Sequence, residues 1–532
     1  MTTFSDLLDK FLNPPAGRQG GQEGLRLVAE VAERVSANPL SASLRAAKGG
    51  LLVLVERQGS REELVLVCSH RDPAPAWVNL FIGDRTESGG VQVWAAPCSP
   101  VNIPALQAAL PNLRPKPMGM APSFGFGDRT GLATPGHVKA MNSDGEDLVP
   151  IFAQQSIREM TRTERTPIEV MADATWGAFR AGWRGPVGAD ADHLMTPGDV
   201  DETVAAGFTF FTIDPSAHVD QRADDYTPAQ VDQFFQKLIG DRVPGAGDIL
   251  DLYGDRIYDL AAAKIVMEKP VLKRAAVKYG RALAHIYHLA GYISKTMGGG
   301  GFELEISVDE TDQPTTIAEH LFIAQELKRH GIPVVSLAPR FIGDFEKGID
   351  YRGDVNRFKE ELVHHAAIAE EYGPYKISLH SGSDKFGVYP LVRQITGQAF
   401  HVKTAGTSYL EALRTACRAN PDFFREIVSF SRRRFDIDRA TYHISAGLEP
   451  TPPPKDLAAD DLERVYLNED NGRQILHVTY GSVLTAKSSE NGSGYRFRDR
   501  LLNLLRDHRD LHEKVLAGHL GKHLRLLSSR NG

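Results

Sequence analysis

The middle of the chain alternates short apolar runs with longer amphipathic segments. Each run has the length of a strand, ends in polar residues and precedes a helix-like segment, which is the rhythm of parallel β/α architecture. The eight runs begin at Ser123, Leu148, Val187, Phe208, Phe302, Val334, Lys376 and Phe400. An open doubly wound sheet alternates in the same way. The count of eight, with polar residues where nearly every run ends, favours a closed TIM-like (β/α)8 barrel of the α/β class.

One interval breaks this rhythm. Between Val219 and Gly300 the pattern predicts several helical segments and no strand, including an amphipathic stretch from Leu272 to Lys295. A helical insertion over 219–300 follows the fourth strand, so it would lie at the catalytic face of the barrel. There it would act as a lid or as a contact in a homo-oligomer.

The two ends of the chain have different patterns. Residues 1–115 predict a β-rich module, because short apolar runs beginning at Gly50, Glu63, Trp77 and Val91 are separated by Gly, Asp, Arg and Ser. A Pro- and Met-rich link from Arg114 leads into the barrel, which we expect over 116–435. Residues 436–532 are helical and charged, and predict a C-terminal extension.

Composition narrows the class of protein. The chain has 532 residues and a formal net charge of −7, which argues against a general nucleic-acid binder. No apolar run is long enough to span a membrane, and the first residues lack the pattern of a signal peptide. Three scattered cysteines, Cys68, Cys98 and Cys417, fit a reducing compartment. We therefore expect a cytoplasmic protein without a nucleic-acid or membrane partner.

Acids and histidines collect where the predicted strands end, which is where a barrel places its active site. They include Asp190, Asp192, His193, Asp214, His380, His401 and Lys403, and the loops add Asp128, Arg129, Asp344, Glu346 and Lys347. For any single Asp at a strand end, a solvated cap is the more common situation. Glu303 and Glu305 differ, because they lie two apart inside a strand and a buried unpaired charge is costly. If both point inward and lie close, one has a raised pKa and could donate a proton.

Two histidines suggest a metal. His193 and His380 lie at the same predicted end of the barrel with a carboxylate between them, a ligand set that suits Zn, Mn, Co or Ni. A lone strand histidine is more often a core residue, but two beside acids favour a divalent metal site. No compact metal motif such as HExxH or CxxC occurs.

Other residues predict an anionic substrate rather than a nucleotide. The turn from Gly125 to Gly131 departs from the dinucleotide fingerprint, and the glycine run at Gly298 lacks the Lys and Ser/Thr of a phosphate-binding loop. Cations at strand ends suit a carboxylate, and serines offer donors to hydroxyl groups. The predicted substrate-binding residues are Asp128, Arg129, Ser381, Ser383, Asp384, Lys385 and Lys403.

At this point a string of motifs resembles the tagaturonate/fructuronate epimerase family. The segments are GFGDRTG from Gly125, GADADH from Gly188, FELEISVDET from Phe302, SLAPRFIGDFEKGIDY from Ser336, KISLHSGSDKFGVYP from Lys376, FHVKTAGTSYLEALR from Phe400 and YHISA from Tyr442. They cover nearly everything from Pro122 to Ala446, so chance is a poor explanation.

The resemblance implies an isomerase of hexuronate catabolism that uses a divalent metal to interconvert D-tagaturonate and D-fructuronate. By position it implies Asp192 as proton acceptor and the fifth-strand acid as proton donor, with Glu305 chosen and Glu303 in reserve. It implies His193 and His380 as metal ligands. A further ligand is expected from the loop after the sixth strand, where Asp344 and Glu346 compete.

The chemistry leaves alternatives open. The two keto acids differ at a carbon that is not adjacent to the ketone, so simple enolisation cannot invert it. Metal-assisted retro-aldol cleavage can, with an acid and a base moving protons. Transient oxidation would need a nicotinamide, for which the fingerprint is poor. Rival functions are an aldolase or ketose isomerase acting on a related ketose or ketose phosphate, and a catalytically dead sugar-acid binding protein.

Overall fold

The structure is a computed structural model, and it describes residues 4–12, 21–57, 62–69, 76–88, 91–261, 263–488 and 494–528. The chain forms two compact units. One comprises Met1–Pro115 and Met171–Val187, and the other comprises Lys116–Val170 and Gly188–Gly532.

The first unit is built on an antiparallel sheet. Its strands are β1 (Asn38–Pro39), β2 (Arg45–Ala47), β3 (Gly50–Glu56), β4 (Glu62–Ser69), β5 (Asp84–Ser88) and β6 (Val91–Pro97), and its helices are α1 (Phe4–Leu12), α2 (Gly21–Val35) and α3 (Ile103–Ala109). The sheet order is β1-β3-β4-β6-β5, with β2 paired to β3. Alternate residues such as Leu51, Val53 and Val65 face one side of the sheet and share a core with Leu8 and Leu27 of the helices.

The β-rich module is therefore confirmed, with two local differences. The run at Trp77 was predicted to be a strand but forms a 3-10 helix, Ala76–Leu80. Val78 and Phe81 are buried whereas Leu80 and Ile82 are exposed, so the buried positions are three apart and suit a helical turn rather than the alternation of a strand. The pattern also missed β5, an edge strand whose sequence is polar and lacks alternation.

The second unit contains the predicted barrel, which is confirmed. Its strands are β7 (Ser123–Gly127), β8 (Val149–Ser156), β9 (Gly188–Leu194), β10 (Phe210–Ile213), β13 (Glu303–Val308), β14 (Val334–Pro339), β15 (Lys376–Leu379) and β16 (Phe400–Thr404), and a separate hairpin supplies β11 (Arg256–Leu260) and β12 (Ala263–Met267). The eight barrel strands pair in parallel and close in the order β10-β13-β14-β15-β16-β7-β8-β9.

Helices follow the barrel strands. They are α4 (Thr134–Asp144), α5 (Ile157–Thr163), α6 (Pro167–Arg180), α7 (Pro197–Ala205), α8 (Pro228–Gly240), α9 (Ile249–Tyr253), α10 (Lys269–Thr296), α11 (Ile317–Arg329), α12 (Val355–Tyr372), α13 (Tyr389–Thr396) and α14 (Thr407–Ala419). Capping boxes at Thr196, Thr227 and Thr316 satisfy the first backbone N–H groups of α7, α8 and α11, which fixes where these helices begin.

The interval after the fourth barrel strand is not purely helical. Besides α8, α9 and α10 it contains the antiparallel hairpin of β11 and β12, where we expected no strand. Ile257 pairs with Val266, and both side chains are exposed. Ile265 and Met267 alternate with them and are buried, but two strands of only five residues are too short for the pattern to be recognised.

The C-terminal region is helical, as predicted. It contains α15 (Pro421–Asp438), α16 (Ala459–Glu463), a π-helical turn (Arg464–Asn468), α17 (Asp470–Val478), α18 (Tyr480–Thr485), α19 (Arg498–Asp507) and α20 (Arg509–Leu527). A core that includes Tyr409, Phe424, Tyr466 and Leu501 joins α14 to this region. Helix α20 packs on α4 and α14. In the described part of the chain, no helix combines the length and the apolar character needed to cross a bilayer.

Candidate active site

A bulge in the third barrel strand brings two neighbouring residues into the barrel mouth. Opposite β10 the register of β9 shifts between the pairs Phe211–Ala191 and Ile213–Leu194, so Asp192 and His193 together face one residue. His193 has a φ of 56°, in the left-handed region. In a regular strand successive side chains point to opposite faces. Because of the bulge, both residues contribute to the same site.

Each of the two mouth histidines is held by carboxylates. His193 Nδ1 lies 3.0 Å from Asp214 Oδ2, just beyond the end of β10. His380, which follows β15, has Nε2 2.6 Å from Glu305 Oε1 and Nδ1 3.1 Å from Asp309 Oδ1. The two imidazole rings are 5.2 Å apart between centroids. A carboxylate behind an imidazole fixes its orientation, and this arrangement recurs around metal sites.

Lys403 is the cation at the centre. Its Nζ lies 2.8 Å from each of Asp190 Oδ2, Asp192 Oδ1 and Glu305 Oε1, and it donates to Thr212 Oγ1 at 2.6 Å. We refer to Asp190, Asp192, His193, Glu305, His380 and Lys403 as the mouth cluster. One ammonium therefore serves three buried carboxylates.

The charges of the mouth cluster shift its titrations. Burial opposes ionisation of Asp192, but His193 and Lys403 outweigh it and lower the pKa of Asp192 to about 2. Burial likewise opposes protonation of the histidines, but Asp192 raises the pKa of His193 to about 10, and Asp309 helps to raise that of His380 to about 9. Lys403 and His380 hold the pKa of Glu305 well below its ordinary value despite its burial.

A pocket opens beside the mouth cluster. Its lining includes Asp192, His193, His380 and Lys403 from the cluster, together with Asp309, Glu310, Arg129, Glu159, Ser381 and Ser383. Glu305 is not part of the lining, and its side chain is fully buried behind Lys403 and His380. The acids that reach the pocket are therefore Glu159, Asp192, Asp309 and Glu310.

Several of the predicted catalytic and metal-binding residues lie outside the pocket. Glu303 begins β13 and accepts a hydrogen bond from the Gly119 N–H at 2.5 Å, away from the pocket lining. Burial raises its pKa, whereas the pKa of Glu305 is lowered, so the two strand glutamates shift in opposite directions. Asp344 and Glu346 lie on the loop after β14, but Asp344 is 3.3 Å from His443 and Glu346 accepts from Ser445 and Gln474. The structure brings neither of these two to the mouth histidines.

Three further predicted substrate ligands have internal partners. The Asp128 carboxylate accepts from the backbone N–H groups of Thr130, Gly131 and Ala133, and thereby shapes the turn before α4. Lys385 is buried and donates to three backbone carbonyls, at 2.5, 2.8 and 2.9 Å. Burial lowers its pKa to about 7. Asp384 is buried within a second ionic cluster.

That second group consists of Asp384, Arg473, His519 and His523, and we refer to it as the Asp384 cluster. Asp384 Oδ2 accepts from Arg473 Nη2 at 2.8 Å, and Oδ1 lies 2.6 Å from His519 Nε2. His523 Nε2 accepts from the Asp384 N–H at 3.0 Å. The ligand-type atoms of Asp384, His519 and His523 lie within 4.8 Å of one another, as do those of Asp192, His193 and His380.

Sequence reasoning missed several residues of the pocket. Asp309 and Glu310 directly follow β13 and line the pocket, so their position at a strand end is the signal that could have predicted them. His477 and Tyr480 come from α17 and α18, far along the chain, and no local pattern marks them. Arg129 lines the pocket as expected, stacked 3.6 Å over the Tyr480 ring.

The arrangement supplies the kinds of group that acid–base chemistry and the binding of a divalent ion require. Imidazole and carboxylate donors converge from Asp192, His193 and His380, and could hold a divalent ion. Ionised carboxylates beside that point can accept protons, and cations in the same pocket can bind an anion.

Comparison with known proteins identifies the family to which the chain belongs. The family model described as tagaturonate epimerase (UxaE) matches residues 40–527. A tagaturonate/fructuronate epimerase from Thermotoga maritima is 41% identical over 456 residues, covering 86% of this chain and 90% of that protein. The glycerol-complexed crystal structure of the fructuronate-tagaturonate epimerase from Cohnella laeviribosi has a TM-score of 0.85 and 34% identity, covering 94% of this chain and 99% of that one. The native crystal structure of the same enzyme gives the same values. The chain therefore belongs to the tagaturonate epimerase family.

Proposed function

We propose that this protein is a divalent-metal-dependent epimerase that interconverts D-tagaturonate and D-fructuronate. The names of its relatives support the substrate pair. The observation that carries the metal and the chemistry is the convergence of Asp192, His193 and His380 within 4.8 Å at the wall of a pocket.

The residues present fit a divalent cation. The mouth cluster and the two carboxylates that hold its histidines, Asp214 and Asp309, bring five carboxylates to three cations, so the site has an excess of negative charge. Nδ1 of His193 is engaged by Asp214, and Nε2 is left on the side of Asp192, at 3.7 Å from its Oδ1. Asp192, His193 and His380 would hold the metal, and Mn, Co, Ni or Zn suit that donor set. When bound, the metal would act as a Lewis acid toward the oxygens of the keto acid.

Asp192 is the base in this proposal. It is ionised, it lines the pocket, and Lys403 and Gln154 Nε2 hold its two oxygens. It takes the proton of the hydroxyl on the carbon to be inverted. The adjoining C–C bond then breaks to give an aldehyde and an enediolate. Rotation of the aldehyde, re-addition and return of the proton give the epimer with all atoms conserved.

The second proton-handling residue in this proposal is Glu310. Glu305 was predicted for this role, but it is ionised and lies behind Lys403, outside the pocket lining. Glu310 lines the pocket and is held by Arg158 Nη2 at 2.6 and 2.8 Å from its two oxygens. Asp309 beside it engages His380. Asp192 on β9 and Glu310 after β13 thus provide groups from two different strands.

The test of the function is an NMR assay in D2O with metal-stripped protein and D-tagaturonate, without NAD. We expect fructuronate to form only after Mn, Co, Ni or Zn is restored, with no deuterium at the inverted carbon because its C–H bond is never broken. Deuterium at that carbon would refute cleavage, and accumulation of three-carbon fragments would indicate an aldolase. Absence of conversion with every metal would refute the epimerase function.

The choice between the two glutamates has its own test. If Glu310 moves a proton, Glu310→Gln should lower kcat by about 10²-fold or more while Tm stays close to that of the parent protein. Glu305→Gln should instead lower Tm, because it disturbs the buried contacts of Lys403 and His380. A Glu310→Gln protein with full kcat would remove Glu310 from the mechanism.

A further inference from the structure

The same pocket has a group of hydrogen-bond donors apart from the mouth cluster. They come from Arg129, Lys347 and His477, and Ser381 lies beside Lys347. Arg129 follows β7, Lys347 follows β14 and His477 belongs to α17, so three separate segments converge.

Arg129 is a buried guanidinium with spare donor capacity. Glu159 Oε1 accepts from its Nε at 2.7 Å and from its Nη2 at 2.5 Å, and the Tyr480 ring covers one face. Nη1 is buried and has no hydrogen-bond partner among the described residues. A buried donor without a partner costs free energy unless a ligand or water satisfies it.

His477 repeats this situation. Its Nε2 lies 3.5 Å from Arg129 Nη2, which can only donate, so the proton of the neutral imidazole belongs on Nδ1. Nδ1 is buried and without a hydrogen-bond partner in the part of the chain that the structure describes. The ring fits against Gly406, where an added Cβ would come within 1.9 Å of the imidazole, so a larger residue there would displace His477.

Lys347 differs in its charge balance from Arg129, Arg158 and Lys403. It shares with Arg162, which donates to the hydroxyls of Tyr442 and Thr441, the lack of a carboxylate partner among the described residues. Arg129 is paired with Glu159, Arg158 with Glu310, and Lys403 with three carboxylates. The Lys347 ammonium lies 2.5 Å from the neutral Ser381 hydroxyl and has no carboxylate partner among the described residues. An ammonium has three N–H donors, so it can still bind an anion.

We propose that Lys347, Arg129 and His477 form the subsite that binds the carboxylate of the substrate, with Lys347 as the residue that selects an acid over a neutral sugar. This inference rests on the proposed function for the identity of the substrate. The unpaired donors and the unbalanced ammonium are complementary to a carboxylate. The excess of carboxylates at the mouth cluster, which includes Asp214 and Asp309 behind its histidines, repels that end of the molecule and leaves its keto and hydroxyl groups beside Asp192.

Equilibrium binding to the metal-loaded protein tests this subsite by calorimetry. The ligands are D-tagaturonate, D-tagatose, which carries hydroxymethyl in place of the carboxylate, and D-tagatose 6-phosphate. We expect Lys347→Met to weaken tagaturonate binding by about 10- to 100-fold, the contribution of one hydrogen bond to a charged group, and to leave D-tagatose binding unchanged. Lys347→Arg should retain most of the affinity. The control is Lys359→Met, which removes an exposed lysine on α12.

The results separate this proposal from the function. Equal weakening of tagaturonate and tagatose in Lys347→Met, or no change in either, would overturn the subsite. So would tighter binding of the phosphate ester than of tagaturonate to the parent protein. If tagaturonate binds in a Lys347-dependent way but is not converted, the epimerase function fails and the carboxylate subsite stands.

Discussion

The mouth cluster and the Asp384 cluster contain the same kinds of residue, two histidines and at least one buried carboxylate, but their charges are balanced differently. In the mouth cluster one ammonium serves three carboxylates, and the histidines line a pocket. In the Asp384 cluster one carboxylate receives Arg473 and His519, and His523 Nε2 is occupied by a backbone N–H. Ligand-type residues in proximity are therefore insufficient evidence for a metal site, because the number of carboxylates and access to a pocket also distinguish the two clusters.

The largest expected effect is the loss of kcat when the proposed base of the mouth cluster is removed. Asp192→Asn keeps the size of the side chain but removes the base, so kcat should fall by about 10²- to 10⁴-fold. Steady-state assays at saturating metal would measure it, with the folded state checked by Tm. A variant that still binds metal and retains full kcat would exclude Asp192 as the base.

The second effect is on stability. Asp384→Asn leaves the charges of Arg473 and His519 without their carboxylate in a buried site, and should lower the free energy of unfolding by roughly 3–5 kcal/mol. Denaturant unfolding would measure this loss. Asp460→Asn, at an exposed position of α16, is the matched control and should unfold like the parent protein. An unfolding free energy for Asp384→Asn equal to that of the control would mean that the ionic contacts contribute nothing.

The metal content of two histidine variants tests which of the two clusters binds the metal. Loss of a ligand in His380→Gln should weaken metal binding by about 10- to 100-fold or more, whereas His519→Gln should retain the metal content of the parent protein. Elemental analysis after dialysis against a weak chelator would measure both. Loss of metal from His519→Gln alone would reverse the assignment of the two clusters.

The smallest expected effect is a change in the stability of the fold with pH. Burial lowers the pKa of His523 to about 3, well below its ordinary 6.5, so below pH 6.5 the unfolded chain takes up a proton that the folded chain refuses. Stability should therefore fall as pH falls through this window, by roughly 2 kcal/mol from pH 6.5 to 5 for this residue. His519, whose pKa Glu411 and Asp384 raise against the effect of burial, contributes in the opposite sense and stabilises the fold below pH 6.5.

The contribution of His523 is measured by comparing the free energy of unfolding of the parent protein and of His523→Gln at pH 7 and at pH 5. The glutamine can still accept from the Asp384 N–H but does not titrate, so the variant should lose less stability on acidification. An equal loss in both proteins would show that His523 does not control this pH dependence, whatever the charges of Asp384, Arg473 and His519 contribute.

The sequence predicted the barrel because strand period, helix period and polar strand ends agree over eight repeats. It also singled out Asp192, His193 and His380, which stand at strand ends and which the structure brings close together. It did not reveal that Asp384 and Lys385 have internal partners, because those partners are Arg473 and His519 on distant helices and backbone carbonyls of another loop. It placed Glu303 and Glu305 on one face, but periodicity does not say which residue along that face reaches the pocket.

The bulge in β9 is a second feature that the sequence pattern did not predict. Alternation in a regular strand predicts that Asp192 and His193 point to opposite sides, so strand-end position and the family motif, and not the period, put both in the predicted site. The left-handed φ of His193 and the shifted register are tertiary features that local propensity does not indicate.

The contact of α20 with the loop after β15 has a consequence for how the enzyme matures on the ribosome. Asp384 of this loop is synthesised long before His519 and His523, its partners on α20. The barrel strands can therefore pair while this side of the pocket still lacks its support. We expect a nascent chain that ends before α20 to have a formed barrel and no activity. Activity should be gained only when α20 has been synthesised and has packed in place.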